Sequence, residues 1–252
     1  MIALQELLDY TNKLLDVHNF ADYCPNGLQV EGRPGVERLV SGVTASLALV
    51  EAAAEAGADV LLVHHGWFWK GENASVTGMK RHRLRRLLEN EISLLAYHLP
   101  LDAHSELGNN VRLAGVLGLE VQGRFGEDGG MQLGYHGRLP RALDAAAFCE
   151  LLEQTLGRSP TFIDGGKPEI RRVGWCTGAA QSYIEAAAQL GLDAFVSGEI
   201  SEQTVHVARE AGIHYFAAGH HATERYGVCA LGEHLAERFG IGHRFIDIDN
   251  PA

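Results

Sequence analysis

Apolar positions follow two patterns along this chain. Leu4, Leu7, Leu8, Leu14 and Leu15 recur at helical spacing and predict an amphipathic helix over residues 2–17. Strands are predicted at residues 39–44, 60–63, 92–97 and 133–139, the second of them an unbroken apolar run. Runs of this kind read as strands buried on both faces. Helices are predicted between them over residues 48–56, 80–90, 110–117 and 142–156, the first ended by Gly57. Strand, helix and strand joined by short crossovers form the unit of a parallel sheet. The class is therefore α/β. Residues 22–32 carry Pro25 and Asn26-Gly27 turn signals before a short strand. From about Glu120, Gly123, Glu127, Asp128, Gly129 and Gly130 suggest a boundary.

Part of this pattern occurs twice. Residues 38–66 align without a gap on residues 172–200, an offset of 134. Glu51-Ala52-Ala53-Ala54 lies over Glu185-Ala186-Ala187-Ala188, Gly57 over Gly191 and Asp59 over Asp193. The match resumes at an offset of 122, with His98 over His220 and Asp102 over Glu224. The chain reads as two duplicated α/β units with mixed central sheets. Residues 1–122 and 218–252 form the first, which carries the chemistry, and residues 123–217 form the second.

Composition narrows the class. At 252 residues the chain holds one large domain or two small ones. Its net charge of −11 disfavours nucleic-acid binding, which needs a basic footprint. The basic stretch from Lys80 to Arg86 is either a solvated helix face or a phosphate-binding strip. No apolar run is long enough to span a bilayer, and no basic leader opens the chain. Four scattered cysteines fit a reducing cytoplasm.

Candidate chemistry collects at strand ends: His64-His65, His98 with Asp102, Ser197-Gly198-Glu199, and His220 with Glu224. Open α/β sheets place ligands at such ends. Adjacent residues on a strand point to opposite faces, so His64 and His65 converge only where the strand gives way to a loop at Gly66. The pair is either part of a metal site or a polar strand cap. Mixed imidazole and carboxylate donors suit zinc, iron(II) or manganese. Three histidines and two bridging carboxylates fit two cations about 3.5–4 Å apart. Trp67-Phe68-Trp69-Lys70 follows the pair, either as a lid or stacking platform or as core packing.

Cys24-Pro25-Asn26-Gly27-Leu28-Gln29-Val30, Val63 to Gly66, His98 to Asp102, Ser197-Gly198-Glu199 and Gly219 to Glu224 together resemble the Nif-three-like dinuclear metal-centre proteins. That family is often described as type-two homologues of GTP cyclohydrolase I, and the likeness covers nearly the whole chain. It implies two interlocked α/β domains, a toroidal homohexamer and two divalent metal ions. It implies His64, His65, Asp102, His220 and Glu224 as the metal ligands, with Asp102 and Glu224 bridging. His98 is then a supporting residue or an acid/base, and Glu199 a base or an ion-pair partner. His104 is a candidate to orient Asp102. The implied activity is hydrolysis of a purine nucleotide through a metal-bridging hydroxide. The alternatives are hydrolysis of other or damaged nucleotides, or a non-catalytic metal-binding scaffold or regulatory protein.

Overall fold

The computed structural model describes residues 1–128 and 131–252. Gly129 and Gly130, part of the expected boundary, lie outside the described residues. The chain divides into two compact units, Met1–Leu107 with Gly227–Asp249, and Gly108–Tyr226 with Asn250–Ala252.

The first unit runs β1 (Ile2–Ala3), α1 (Leu4–Leu14), β2 (Gly27–Val30), β3 (Gly35–Val36), β4 (Arg38–Thr44), α2 (Leu47–Glu55), β5 (Val60–His65), α3 (Gly78–Glu89), β6 (Ser93–Ala96) and α4 (Leu99–Ala103). The second holds α5 (Asn109–Leu117), β7 (Glu120–Asp128), β8 (Met131–Leu143), α6 (Ala145–Leu156), β9 (Thr161–Ile163), β10 (Ile170–Cys176), α7 (Ile184–Gln189), β11 (Ala194–Ser197), α8 (Glu202–Ala211), β12 (His214–Ala217) and α9 (His220–Thr223). α10 (Arg225–Phe239) and β13 (Gly242–Phe245) complete the chain.

Both main sheets are mixed. In the first unit the order is β13-β4-β5-β6-β2, and in the second β7-β8-β10-β11-β12-β9. β4, β5 and β6 are parallel, with β2 antiparallel on β6. β10, β11 and β12 are likewise parallel, with β9 antiparallel on β12. Val60, Leu61, Leu62 and Val63 are all fully buried, which is why β5 reads as an unbroken apolar run. On one side of that sheet α1 and α10 contribute Leu7, Val228, Leu231 and Leu235 to the core with Leu62 and Leu95. On the other, Leu49, Val50 and Leu87 pack with Leu61, Val63 and Leu94.

The duplication extends to individual hydrogen bonds. Asp59 Oδ2 accepts from the Glu37 and Arg38 amides, and Asp193 Oδ2 from those of Arg171 and Arg172. The Gly32 amide donates to Ser93 Oγ, and the Gly165 amide to His214 Nδ1. The match also reaches further back than residue 38. Leu28 pairs with Leu95 as Phe162 pairs with Phe216, so β9 is the counterpart of β2.

Three expectations change. The second offset is 121, not 122: Ser93 bonds Asp59 O as His214 bonds Asp193 O, and α4 starts at Leu99 where α9 starts at His220. His98 therefore corresponds to Gly219, and Ala103 to Glu224; the offset of 122 matched like side chains rather than backbone. The charged segment at Glu120 is not a boundary but an edge strand, paired antiparallel with β8. An edge strand tolerates that polar, glycine-bearing pattern. The compact units also divide at 107/108 and 226/227, against 122/123 and 217/218 expected. The reason is that α5 packs Leu113, Ala114 and Leu117 into the core of Trp175 and Phe216. His220 and Glu224 accordingly belong to the second unit.

Candidate metal centre

In the first unit β5 and the end of β6 bring three imidazoles together. The ring centroids of His64 and His65 are 4.6 Å apart, those of His64 and His98 5.1 Å, and those of His65 and His98 5.7 Å. Each ring offers a nitrogen within 4.8 Å of the others. Both members of the pair still lie in β5, so their convergence does not wait for the loop. Gly66 contributes close approach rather than a left-handed bend. A Cβ there would run into Gln29 Oε1 and lie 2.6 Å from Ala96 Cβ.

Each ring is aimed by its neighbours. Fully buried His64 donates from Nδ1 to the Tyr97 carbonyl at 2.9 Å, which turns Nε2 to Asp102 Oδ1 at 3.6 Å. Thr44 Oγ1 lies 3.1 Å from His65 Nδ1. Asp22 Oδ1 lies 2.8 Å from His98 Nδ1. The Tyr97 carbonyl and the Asp22 carboxylate only accept, so they hold the proton of His64 and of His98 on Nδ1, whereas the Thr44 hydroxyl, which can donate or accept, orients His65 without fixing its tautomer.

Asp22 went unnoticed in the sequence, where only its turn context stood out. Its carboxylate also accepts from the Tyr23 and Leu99 amides and from Asn26 Nδ2, while Asn26 Oδ1 accepts from the His98 amide. Burial pushes its carboxyl upward, but the hydrogen bond and charge of His98, with the Asn26 and Tyr23 donors, outweigh that and hold it below the usual value. Gln29 receives the Trp67 amide on Oε1 and donates to the Pro25 carbonyl. The Asp22–Gln29 segment thus braces the start of α4 and the chain just after the histidine pair. Neighbouring Cys24 is a poor candidate ligand as it stands, since burial and the Asp22 charge push its thiol up to about 12. His104 Nδ1 accepts from the Glu106 and Leu107 amides and so ties down the turn after α4.

The second unit builds an imidazole–carboxylate set of its own. His220 opens α9 and Glu224 lies one turn on, with His220 Nε2 3.1 Å from Glu224 Oε2. Glu199 Oε1 sits 2.7 Å from His220 Nδ1 on the other side of the ring. Burial works to lower the imidazole pKa. The hydrogen bonds and charges of Glu224 and Glu199 prevail and raise it to about 9. Glu199 therefore orients His220. The backbone here is crowded: a Cβ on Gly178, at φ +68°, would collide with Glu224 Oε1.

The donor chemistry fits divalent cations. Neutral imidazole and carboxylate suit zinc, iron(II) or manganese, and buried carboxylates beside imidazoles match a positive ion. The aromatic loop splits in its roles. Trp67 is core: it is 5% exposed and its Nε1 donates to the Ala45 carbonyl. Trp69 instead meets His98 edge to face at 5.1 Å and lies 6.0 Å from His65.

A family model described as Duf34/NIF3 (NGG1p interacting factor 3) matches residues 2–251. The chain belongs to this family. A Pseudomonas aeruginosa relative named GTP cyclohydrolase 1 type 2 homolog is 58% identical over 251 residues, covering 100% of this chain and 99% of the relative. An Escherichia coli K12 relative of the same name is 50% identical over 248 residues, 98% of each chain. Among solved structures, the protein ybgI, described as of unknown function, aligns with a TM-score of 0.96 at 49% identity over the whole of both chains. A Thermus thermophilus protein aligns over both full chains with a TM-score of 0.88 at 34% identity. The Duf34/NIF3 chain shares with these relatives an α/β architecture with mixed sheets. Among its described residues no helix is long and apolar enough to cross a membrane.

Proposed function

We propose that this protein is a metal-dependent hydrolase acting on a purine nucleotide, with His64, His65, Asp102, His220 and Glu224 holding two divalent cations. The observation that carries the reading is the tight cluster of His64, His65 and His98, each ring aimed by a partner at Nδ1. The names of the relatives point to a GTP-type substrate. Bound cations would supply Lewis acidity and lower the pKa of an attacking water.

The chain's own groups have separable tasks. His64, whose Nδ1 proton is held by the Tyr97 carbonyl, and His65, oriented by Thr44, offer ring nitrogens. Asp102 and Glu224 offer carboxylates. Glu199 anchors His220 through Nδ1. His98, anchored by Asp22, moves the proton: with Nδ1 committed to the carboxylate, Nε2 takes or gives it. Association into a homohexamer belongs to the same reading.

The test is turnover of a nucleotide panel with added manganese, iron(II) or zinc. The expected result is metal-dependent hydrolysis of a purine nucleotide that His64→Ala, Asp102→Ala and Glu224→Ala each abolish. Activity that survives all three substitutions overturns the proposal.

A further inference from the structure

We propose that Trp69 and Tyr23 form a ring-binding wall over the histidine cluster, and that the ligand of this site presents a planar heteroaromatic ring to it. The proposal takes the location of the site from the reading above and adds the residues that select the ligand.

The wall is built rather than incidental. Trp69 is partly buried and lies against His98 and His65. Tyr23 lies 6.5 Å from His98 and is 52% exposed. The two aromatics are joined through the backbone, since the Lys70 amide donates to the Tyr23 carbonyl at 2.6 Å. The Trp69 amide donates to Glu72 Oε2, the Glu72 amide returns to the Trp69 carbonyl, and Trp69 Nε1 donates to the Gly66 carbonyl. Lys80 pins this turn from α3 through Glu72 at 3.0 Å and the Asn73 carbonyl at 2.8 Å.

Phe68 stands between the two tryptophans at φ +65°. A bulky residue in that region is strained and persists only where its surroundings impose it. The reversal separates Trp67, which fills the core, from Trp69, which meets the histidines. A fold that needed only apolar filling would have no use for the strained residue.

The chemistry of the cluster selects among ligands for such a wall. Aromatic faces attract cations and flat rings alike. Divalent cations held by these imidazoles would repel a cationic ligand, whereas a neutral heteroaromatic ring is compatible with them and stacks on an indole face.

Binding rather than turnover is the readout. Guanosine triphosphate and inorganic tripolyphosphate are compared by equilibrium dialysis on the full chain and on Trp69→Ala, Trp69→Phe and Tyr23→Ala, with metal content measured on each protein. The expected result is tighter binding of the nucleotide than of tripolyphosphate by the parent chain. Trp69→Ala loses ~5- to 100-fold of the nucleotide affinity with tripolyphosphate affinity and metal content unchanged. Trp69→Phe retains most of it, and Tyr23→Ala gives a smaller, ring-dependent loss should Trp69→Ala not fold. The proposal is overturned if the parent shows no preference for the nucleotide, if Trp69→Ala and Tyr23→Ala both bind it like the parent, or if both ligands weaken alike. Ring-dependent binding without turnover contradicts only the hydrolase reading; turnover untouched by Trp69→Ala and Tyr23→Ala contradicts only the wall.

Discussion

Gly198 packs so closely against His220 that a Cβ at position 198 would lie 2.7 Å from the His220 Cα. The same Cβ would lie 2.7 Å from the Gly178 carbonyl oxygen. Gly198 is the counterpart of His64 in the duplicated unit, so this contact explains why a histidine stands in one copy and a glycine in the other. Gly198→Ala must push the start of α9 aside. We expect a loss of ~1–3 kcal/mol in denaturant unfolding and weaker metal retention, whereas Ala substitution at solvent-exposed Glu202 leaves both unchanged.

Asp22 is expected to act through His98. Asp22→Asn keeps the size of the side chain but removes the charge that orients the imidazole. Loss of a partner of this kind typically costs ~10–100-fold in metal affinity or activity. The measurement is the rate of nucleotide turnover together with a thermal melt. A rate equal to that of the parent would show that Asp22 is only a cap for α4.

Asp59 and Asp193 do the same work in the two units, each accepting two backbone amides. Asp59 also pairs with Arg33 at 3.0 Å and is 5% exposed. Asp59→Ala should therefore destabilise by ~2–4 kcal/mol through orphaned buried amides. Asp193→Ala, at a more exposed position, should cost less. Urea midpoints of the two variants decide the order.

Acid sensitivity should centre on His243. Burial lowers its pKa from 6.5, against a weaker opposing effect of the Glu233 charge. Its Nε2 lies 2.7 Å from Ser41 Oγ. A histidine with a depressed folded pKa binds its proton more readily when unfolded, so stability is full above pH 6.5 and falls as the pH drops through that value. His243→Gln should flatten this part of the stability–pH curve measured by urea unfolding. A curve as steep as the parent's would assign the effect elsewhere.

Much of the fold was legible in the chain because β5 is buried on both faces and gives an uninterrupted apolar run, with strands and helices alternating around it. The duplication was legible at Asp59 and Asp193, whose side chains bind the same backbone amides in both units. It was misread at His98, where identical residue types pulled the alignment one position off the backbone register. Asp22 escaped notice because its partners lie more than seventy residues away at His98 and Leu99. Gly198 stood out as part of Ser197-Gly198-Glu199, but its close approach to His220 did not, because nothing local marks a glycine whose neighbour is the start of a distant helix.

The most direct test of the central claim is metal analysis of the purified protein together with an anomalous difference map. The expected result is two divalent ions per chain, ligated by His64, His65, Asp102, His220 and Glu224, with ions lost on His64→Ala and on Glu224→Ala. A protein that retains no metal, or that keeps its full complement in both variants, would contradict the account.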